Sequence, residues 1–441
     1  MKNSKGRRNF LKSSGLMLGA AASQGLFSAA AMANEPSVNT AYSLPKQTSL
    51  PADLAKDESY WNQVRNFYSV TDNITNLENG YWGIMSTPVM QSYKAHTEFI
   101  NLNNTYYARR DWSEQYASLN QQVAEFLGVD PDEVVLTRGA TEALQALITG
   151  YNLLKPGDKV LYADLDYSEM KHAIRWLEER RGVEVIQINF PEPANWENVV
   201  ETYQNAFDEH PEIKMMLMTH LNNWTGLISP VKLVAGMARE RGIDVILDAA
   251  HSVGQVDFSI NDLGCDFVGV NLHKWVGAPI GCGVMVIKKD RIKNVDSFLQ
   301  KAPDSDRIVD RIDTGTANFA AYMTIPNAIE FHNQIGTRVK QARLKYLRDL
   351  WVQEARNLPN IQILTPDDDH MVAALTSFRV KGQTSTQANN EIVKVLAEQH
   401  GVLTVRRTGP ALGDCVRVTP SVYNSPDDMH KLVKGLTTMA S

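Results

Sequence analysis

Cysteine is scarce in this chain: three in 441 residues, at Cys265, Cys282 and Cys415. An odd number cannot all pair, and each stands in a strand-like run, so buried free thiols are expected rather than a disulfide framework. No grouping of histidine, cysteine and carboxylate has the spacing of a ligand set, so no metal site is expected. Positive charge is not in excess either, since charged residues make up 21% of the chain and the formal net charge is −6. An acidic balance argues against nucleic acid or an anionic membrane surface as the partner. What is present is a 43% hydrophobic composition over a length ample for a sizeable core and two domains.

The N-terminus is the exception to this even composition. A basic start, with Lys5, Arg7, Arg8 and Lys12, leads into an apolar, alanine-rich run from Leu16 to Ala31 and then Ala31-Met32-Ala33. That order describes a cleavable export signal, and Arg7-Arg8 with Phe10-Leu11-Lys12 resembles the twin-arginine type. The run is too short and too mildly hydrophobic for a stable membrane span. Export to the periplasm by the twin-arginine machinery is expected, with cleavage near Ala33. Losing Lys2, Lys5, Arg7, Arg8 and Lys12, and no acid, takes the formal charge from −6 to −11. That route carries folded proteins, often with a cofactor already loaded. Residues 34–75 read as an N-terminal arm that includes a short helix over Tyr60 to Tyr68, residues 76–320 as a large domain, and residues 321–441 as a small one.

From Ser113 to Leu127 the spacing predicts a helix, and strand-like and helix-like runs then alternate. Strands are expected at Val134–Leu136, Lys159–Tyr162, Val183–Ile188, Lys214–Thr219, Asp244–Leu247, Phe267–Val270 and Val284–Ile287. Helices are expected between them at Thr141–Leu154, Met170–Arg181, Trp196–Phe207 and Val231–Arg241. Such alternation argues for an α/β fold with a mainly parallel sheet covered on both faces. Ligands of such sheets collect at the carboxyl ends of the strands, so the residues after each strand become the candidates.

After the first strand, Gly139 frees the backbone and Thr141 can cap the next helix, a possible phosphate cradle or an ordinary turn. After the second, Tyr167 offers a flat face for a ring or is an interior tyrosine. Asn223 lies in a polar turn, His220 to Gly226. Asp248 follows three apolar residues, so it either pairs with a protein base or binds a protonated ligand nitrogen. Lys274, behind Phe267–Val270 and before three glycines, must be solvated, paired or covalently used. Tyr81 and Trp82, between glycines in Asn76–Gly83, form a pocket wall or a packed turn. One amine, one carboxylate, an aromatic face and a phosphate cradle at one sheet edge match the demands of pyridoxal phosphate.

With these residues in place the chain resembles the class V aminotransferase family of fold-type I pyridoxal-phosphate enzymes, in its isopenicillin-N-epimerase-like branch. The resemblance implies a seven-stranded sheet and a smaller α+β C-terminal domain. It assigns the phosphate turn to Gly139, Ala140 and Thr141, the stacking ring to Tyr167, a ring contact to Asn223 and the pyridinium carboxylate to Asp248. His251 falls on the neighbouring oxygen contact, and His273 with Lys274 on the family's His-Lys pair. Asn271 stands where many members carry serine. Asp313-Thr-Gly-Thr316 matches the turn by which such enzymes close the partner's phosphate pocket, which implies a homodimer and singles out Thr316. Tyr322 to Phe331 reads as a helix into the small domain, whose expected strands are Ile361–Leu364, Ala374–Val380, Leu403–Arg406 and Val416–Thr419, with helices at Gln387–His400 and Pro426–Met439.

In the same way Arg417 falls on the clamp for a substrate's α-carboxylate, where a guanidinium fork offers two parallel bonds. Tyr81 and Arg407 are the further candidates for substrate contacts, with Arg406 and Arg407 able to reach a second, distal carboxylate. Desulfurases carry a nucleophilic cysteine after Arg-Thr-Gly; here Arg407-Thr-Gly409 is followed by Pro410-Ala-Leu-Gly413, with Leu412 near the thiol's place. The resemblance thus implies a pyridoxal-phosphate enzyme acting on an amino acid or on a residue of a peptidic metabolite, with aminotransfer first and a siderophore peptide as the exported substrate class. Epimerisation or racemisation, or lysis of a sulfur amino acid, is the alternative, and a cofactor-binding protein without turnover is the other. Replacing Arg7 and Arg8 by lysine is expected to leave the precursor in the cytoplasm. Mass spectrometry of wild-type periplasm is expected to find a mature chain beginning at Asn34.

Overall fold

A computed structural model describes residues 42–313 and 315–440. The export signal and its cleavage site lie outside the described residues. In chain order the strands are Thr75–Asn76 (β1), Val134–Thr137 (β2), Lys159–Ala163 (β3), Glu184–Ile188 (β4), Ile213–Thr219 (β5), Asp244–Asp248 (β6), Phe267–Asn271 (β7) and Gly283–Ile287 (β8). They are followed by Ile361–Ile363 (β9), Thr376–Val380 (β10), Val402–Leu403 (β11), Val405–Arg407 (β12) and Cys415–Val418 (β13). The large sheet has seven strands in the order β2-β8-β7-β6-β5-β3-β4. Strands β3 to β7 pair in parallel, and β8 runs antiparallel to both of its neighbours.

Burial explains which apolar runs became strands. Every residue of β2, β7 and β8 is buried, which a sheet can satisfy only with layers on both faces. Strand β4 closes one edge and turns Glu184 and Gln187 to solvent, a polar edge that discourages further pairing. The helix Ala140–Gly150 buries Leu144, Leu147 and Ile148 against Phe267 and Met285 of the sheet. A second core, with Leu77, Trp351, Phe378, Leu396, Val416 and Leu432, lies under an antiparallel four-stranded sheet of order β12-β13-β10-β9.

The stretch after Tyr42 packs on its own chain. Trp61 is fully buried, its indole N–H donates to the Leu54 carbonyl at 2.7 Å, and the Arg343 guanidinium lies 5.2 Å from its ring. Arg343 in turn pairs with Glu58. Removing Glu58 would leave the buried Arg343 guanidinium without its carboxylate, so the helix Glu58–Arg65 is fastened to the helix Thr337–Ala355.

Two expected elements are divided. The helix read over Tyr322 to Phe331 is two, Phe319–Met323 and Ile325–Ile335. Pro326 has no N–H to continue the ladder, and the Thr324 hydroxyl at the break donates to the Ala320 carbonyl at 2.7 Å. The strand read over Leu403 to Arg406 is also two, because β11 pairs with β1 while β12 pairs with β13, and Thr404 between them is buried. Apolar periodicity marks a strand but not which neighbour it serves.

Helix and sheet meet most closely at a pair of glycines. A Cβ on Gly283, at the start of β8, would lie 2.4 Å from the Gly139 Cα, so the backbone before the helix Ala140–Gly150 touches the backbone of β8. Gly283→Ala is expected to force these segments apart and to destabilise the fold by about 1–3 kcal/mol, read as a lowered midpoint in thermal unfolding.

Candidate active site

The carboxyl ends of β2, β3, β5, β6 and β7 open on one cavity of about 620 Å³. From the turn after β2 it is lined by Gly139, Ala140 and Thr141, and from the end of β3 by Tyr167. The polar turn after β5 contributes Asn223, β6 contributes Asp248 with His251 just beyond, and β7 contributes Asn271 followed by His273 and Lys274. Tyr81, Arg407 and Arg417 close the opposite side. Thr316 is exposed and does not line this cavity.

Local hydrogen bonds hold these strand ends in register. Asp166 Oδ1 accepts from the Thr219 N–H and hydroxyl at 2.9 and 2.6 Å, and its Oδ2 accepts from the Ala163 N–H at 2.7 Å. The end of β3 is thereby tied to the end of β5, across from the ring of Tyr167. Burial pushes the Asp166 carboxyl up to about 7. Asn222 Oδ1 gathers the N–H groups of Trp224 and Thr225 at 3.0 and 2.8 Å, which folds the turn and places Asn223.

The expectation that Thr141 caps the following helix is corrected. The helix begins at Ala140, Gly139 is its extended cap residue, and Thr141 lies exposed in the first turn. The Ala140 N–H is taken by Asn271 Oδ1 at 2.7 Å. A Cβ on Gly139 would meet that same oxygen at 3.2 Å, so the absence of a side chain lets the helix start close onto β7. The residue standing in place of the family's serine therefore occupies part of the helix terminus itself.

Lys274 stands at another corner of the cavity. It is partly buried, and desolvation, aided by the Arg417 and Arg407 charges, draws its amine down to about 7 against the opposing pull of Asp248. Its Nζ lies 2.8 Å from His251 Nε2. The Trp275 indole N–H donates to His251 Nδ1 at 3.4 Å, which leaves the ring proton on Nε2, facing the lysine. That arrangement calls for the neutral amine, and burial keeps the imidazole neutral as well. Asp248 is buried, accepts from the Ala250 N–H at 2.9 Å, and has its carboxyl pushed up by desolvation.

The peptide around Lys274 is clamped on both sides. The Gly83 N–H donates to the His273 carbonyl at 2.8 Å, and a Cβ on Gly83 would lie 1.7 Å from the Lys274 carbonyl oxygen. Lys340, a buried amine that burial draws to about 7, donates to the Trp275 carbonyl and lies 2.9 Å from His332 Nδ1. Neither Lys340 nor Trp275 was a candidate from sequence. Their partners are distant in the chain, and a lysine within a long amphipathic helix reads as solvated.

Glu78 was missed too, although its segment was singled out. Arg417 is fully buried; one terminal nitrogen donates to the Asn223 carbonyl at 2.9 Å and the other to Glu78 Oε1 at 2.5 Å. Arg407 reaches the same oxygen at 3.5 Å, and desolvation with the Arg417 charge lowers its guanidinium to about 10. Arg406 is turned away, paired with Asp414 at 2.7 Å and bonded to Asn390 at 2.9 Å. The three cysteines are all buried, and burial pushes the Cys415 thiol up to about 12. Leu412, near the place of a desulfurase thiol, is exposed.

Comparison with known proteins decides the family. The profile of the Aminotransferase class-V family matches residues 87–432. The chain belongs to that family. Among curated relatives, this class V protein is 22% identical over 397 residues to isopenicillin N epimerase of Streptomyces clavuligerus, covering 86% of this chain and 98% of the relative. It is 23% identical over 338 residues to a probable cysteine desulfurase of Vibrio cholerae, covering 74% and 82%. Of solved structures, the cysteine desulfurase CsdA from Escherichia coli superposes with a TM-score of 0.74 at 17% identity, covering 89% of this chain and 99% of that one. The cystine C–S lyase C-DES does so with 0.70 at 20% identity, covering 83% and 98%. The class V protein therefore has the pyridoxal-phosphate fold type I architecture, and pyridoxal phosphate is the family's cofactor.

The Lys274 amine reacts only when neutral, so its modification should rise with pH through about 7 and level off above it. Reductive methylation of the cofactor-free protein across pH, followed by peptide mass spectrometry, is expected to show that midpoint at Lys274.

Proposed function

We propose that this class V protein is a pyridoxal-phosphate enzyme of aminotransferase type, acting in the periplasm on an amino-acid residue of a peptidic metabolite such as a siderophore. The observation that carries the reading is the Lys274 amine, drawn to about 7 and held in one cavity with the buried Asp248 and the guanidinium of Arg417. The residues present fit the cofactor. Asp248 is a buried carboxylate whose charge a ring nitrogen's proton would balance, Tyr167 offers a ring face, and, with the Ala140 N–H taken by Asn271 Oδ1, the Thr141 and Glu142 N–H groups of the first turn and the Asn271 amide N–H offer donors to a phosphate. When bound, pyridoxal phosphate supplies an aldehyde for amines and a ring that accepts electrons from the bond being broken.

The protein's own groups then have definite tasks. Lys274 Nζ is close to half neutral at pH 7, so it can take up and return a proton at the substrate's α-carbon without a large energetic mismatch. His251 Nε2, 2.8 Å away, keeps that nitrogen oriented. Arg417, fixed by the Asn223 carbonyl and by Glu78, presents the N–H groups left over from those two bonds to a carboxylate. Export is supported by the N-terminal basic and apolar pattern, and a homodimer by the turn ending at Thr316, which lies exposed outside its own chain's cavity.

Epimerisation is the second reading, favoured by the isopenicillin N epimerase relatives. Sulfur transfer through a protein thiol is disfavoured, since Cys415 is buried with its thiol pushed up to about 12. Borohydride treatment of the loaded protein is expected to fix the cofactor on Lys274, as read by peptide mass spectrometry. Incubation with amino donors and a periplasmic peptide extract should then release one keto acid per site. Deuterium together with inverted configuration at the α-carbon in heavy water, without keto acid, would establish epimerisation, and fixation on another amine would overturn the reading. Cys415→Ala is expected to retain activity within about twofold, because deleting one buried, unreactive sulfur leaves the chemistry intact.

A further inference from the structure

Two guanidinium groups line one wall of the cavity, and between them stands a carboxylate that the family reading does not use. Glu78 Oε1 accepts from Arg417 at 2.5 Å and lies 3.5 Å from Arg407, while its side chain is only 14% exposed. Its place is set by backbone, not by a mobile loop. The Glu78 N–H donates to Asn76 Oδ1 at 2.9 Å, the Leu77 N–H to the Leu403 carbonyl at 3.0 Å and the Asn79 N–H to the Thr419 carbonyl at 3.2 Å. Arg406, the other cation that a distal carboxylate could seek, is committed to Asp414 outside the cavity.

The charge balance of this wall is therefore one unit positive, not two. A ligand carboxylate arriving at Arg417 neutralises it. A second carboxylate would then find no unpaired guanidinium, because Arg138 elsewhere in the lining is held by Glu142, and it would approach Glu78, which stands just outside the lining against Arg417 and Arg407, where like charges are disfavoured. We propose that Glu78 is a specificity-determining residue: it makes the wall accept a ligand with one carboxylate next to its amine and an uncharged, amide-like group where a second carboxylate would lie. A residue joined to a peptide through its side-chain carbonyl has that character. The inference rests on the pyridoxal-phosphate reading and narrows its substrate class.

The test uses the full, cofactor-loaded protein and isosteric probes that differ in one distal charge: L-glutamate against L-glutamine, and L-aspartate against L-asparagine. Calorimetry on wild type is expected to show the amide member of each pair binding at least about tenfold tighter. Glu78→Gln should bring the two members to within about threefold by strengthening the diacid, and Glu78→Asp, which keeps the charge, should retain the preference. The proposal is overturned if wild type prefers the diacids, if Glu78→Gln leaves the ratio unchanged, or if neither member binds although borohydride fixes the cofactor on Lys274. Should Glu78→Gln not fold, the wild-type ratio and Glu78→Asp still decide. Failure of the cofactor to attach at Lys274 counts against the functional reading itself, and so is distinguishable from failure of this inference.

Discussion

The constraint on which the site depends is the desolvation of one amine. Lys274 sits where burial, Arg417 and Arg407 oppose its charge, while Asp248 and, more weakly, Glu78 favour it. The balance leaves it near neutrality at physiological pH, which a nucleophile or proton carrier requires and a structural lysine does not. Everything adjacent serves that balance. His251 is kept neutral by burial and turns its proton toward the amine, and Trp275 fixes which ring nitrogen does so.

That arrangement is costly unless the scaffold is stiff. Buried polar groups gain stability only when their bonds are made with good geometry, and a shift of even part of an ångström would expose their desolvation cost. The stiffness comes from the sheet. β7, which delivers Lys274, lies between β6 and β8 with every residue buried, and the helix over it approaches so closely that Gly139 and Gly283 admit no side chain between them. Removing one member of the Glu78 and Arg417 pair would strand a buried charge, typically at a cost of about 3–5 kcal/mol. The wall that carries Arg417 is thus held as firmly as the amine it faces.

Much of the site was legible in the chain, for reasons that differ by residue. β3, β5, β6 and β7 announce themselves as apolar runs ended abruptly by polar residues, and that abruptness is what put Tyr167, Asp248 and Lys274 among the candidates. Gly139 and Ala140 could be found because a strand-to-helix turn has a local signature. Asn271 was visible as a substitution, but its bond to Ala140, 131 residues away, was not. Glu78 has its decisive partner 339 residues away in Arg417, and Lys340 its partner 65 residues away in Trp275. Neither pairing leaves a periodic trace, because ion pairs and carbonyl clamps depend on how elements are stacked rather than on what each element is. The break at Thr324 carried a local signal in Pro326, which the helical pattern around it masked.

The segment from β1 to Gly83 has a last consequence. It is bonded to Leu403 and Thr419 of the smaller sheet region at one end and to the His273 carbonyl at the other, with Glu78 in between. The short run from Glu78 to Gly83 therefore works as a fixed gauge, setting the span between the Arg417 guanidinium and the Lys274 amine. A change in the gauge's length would alter that span without touching either end.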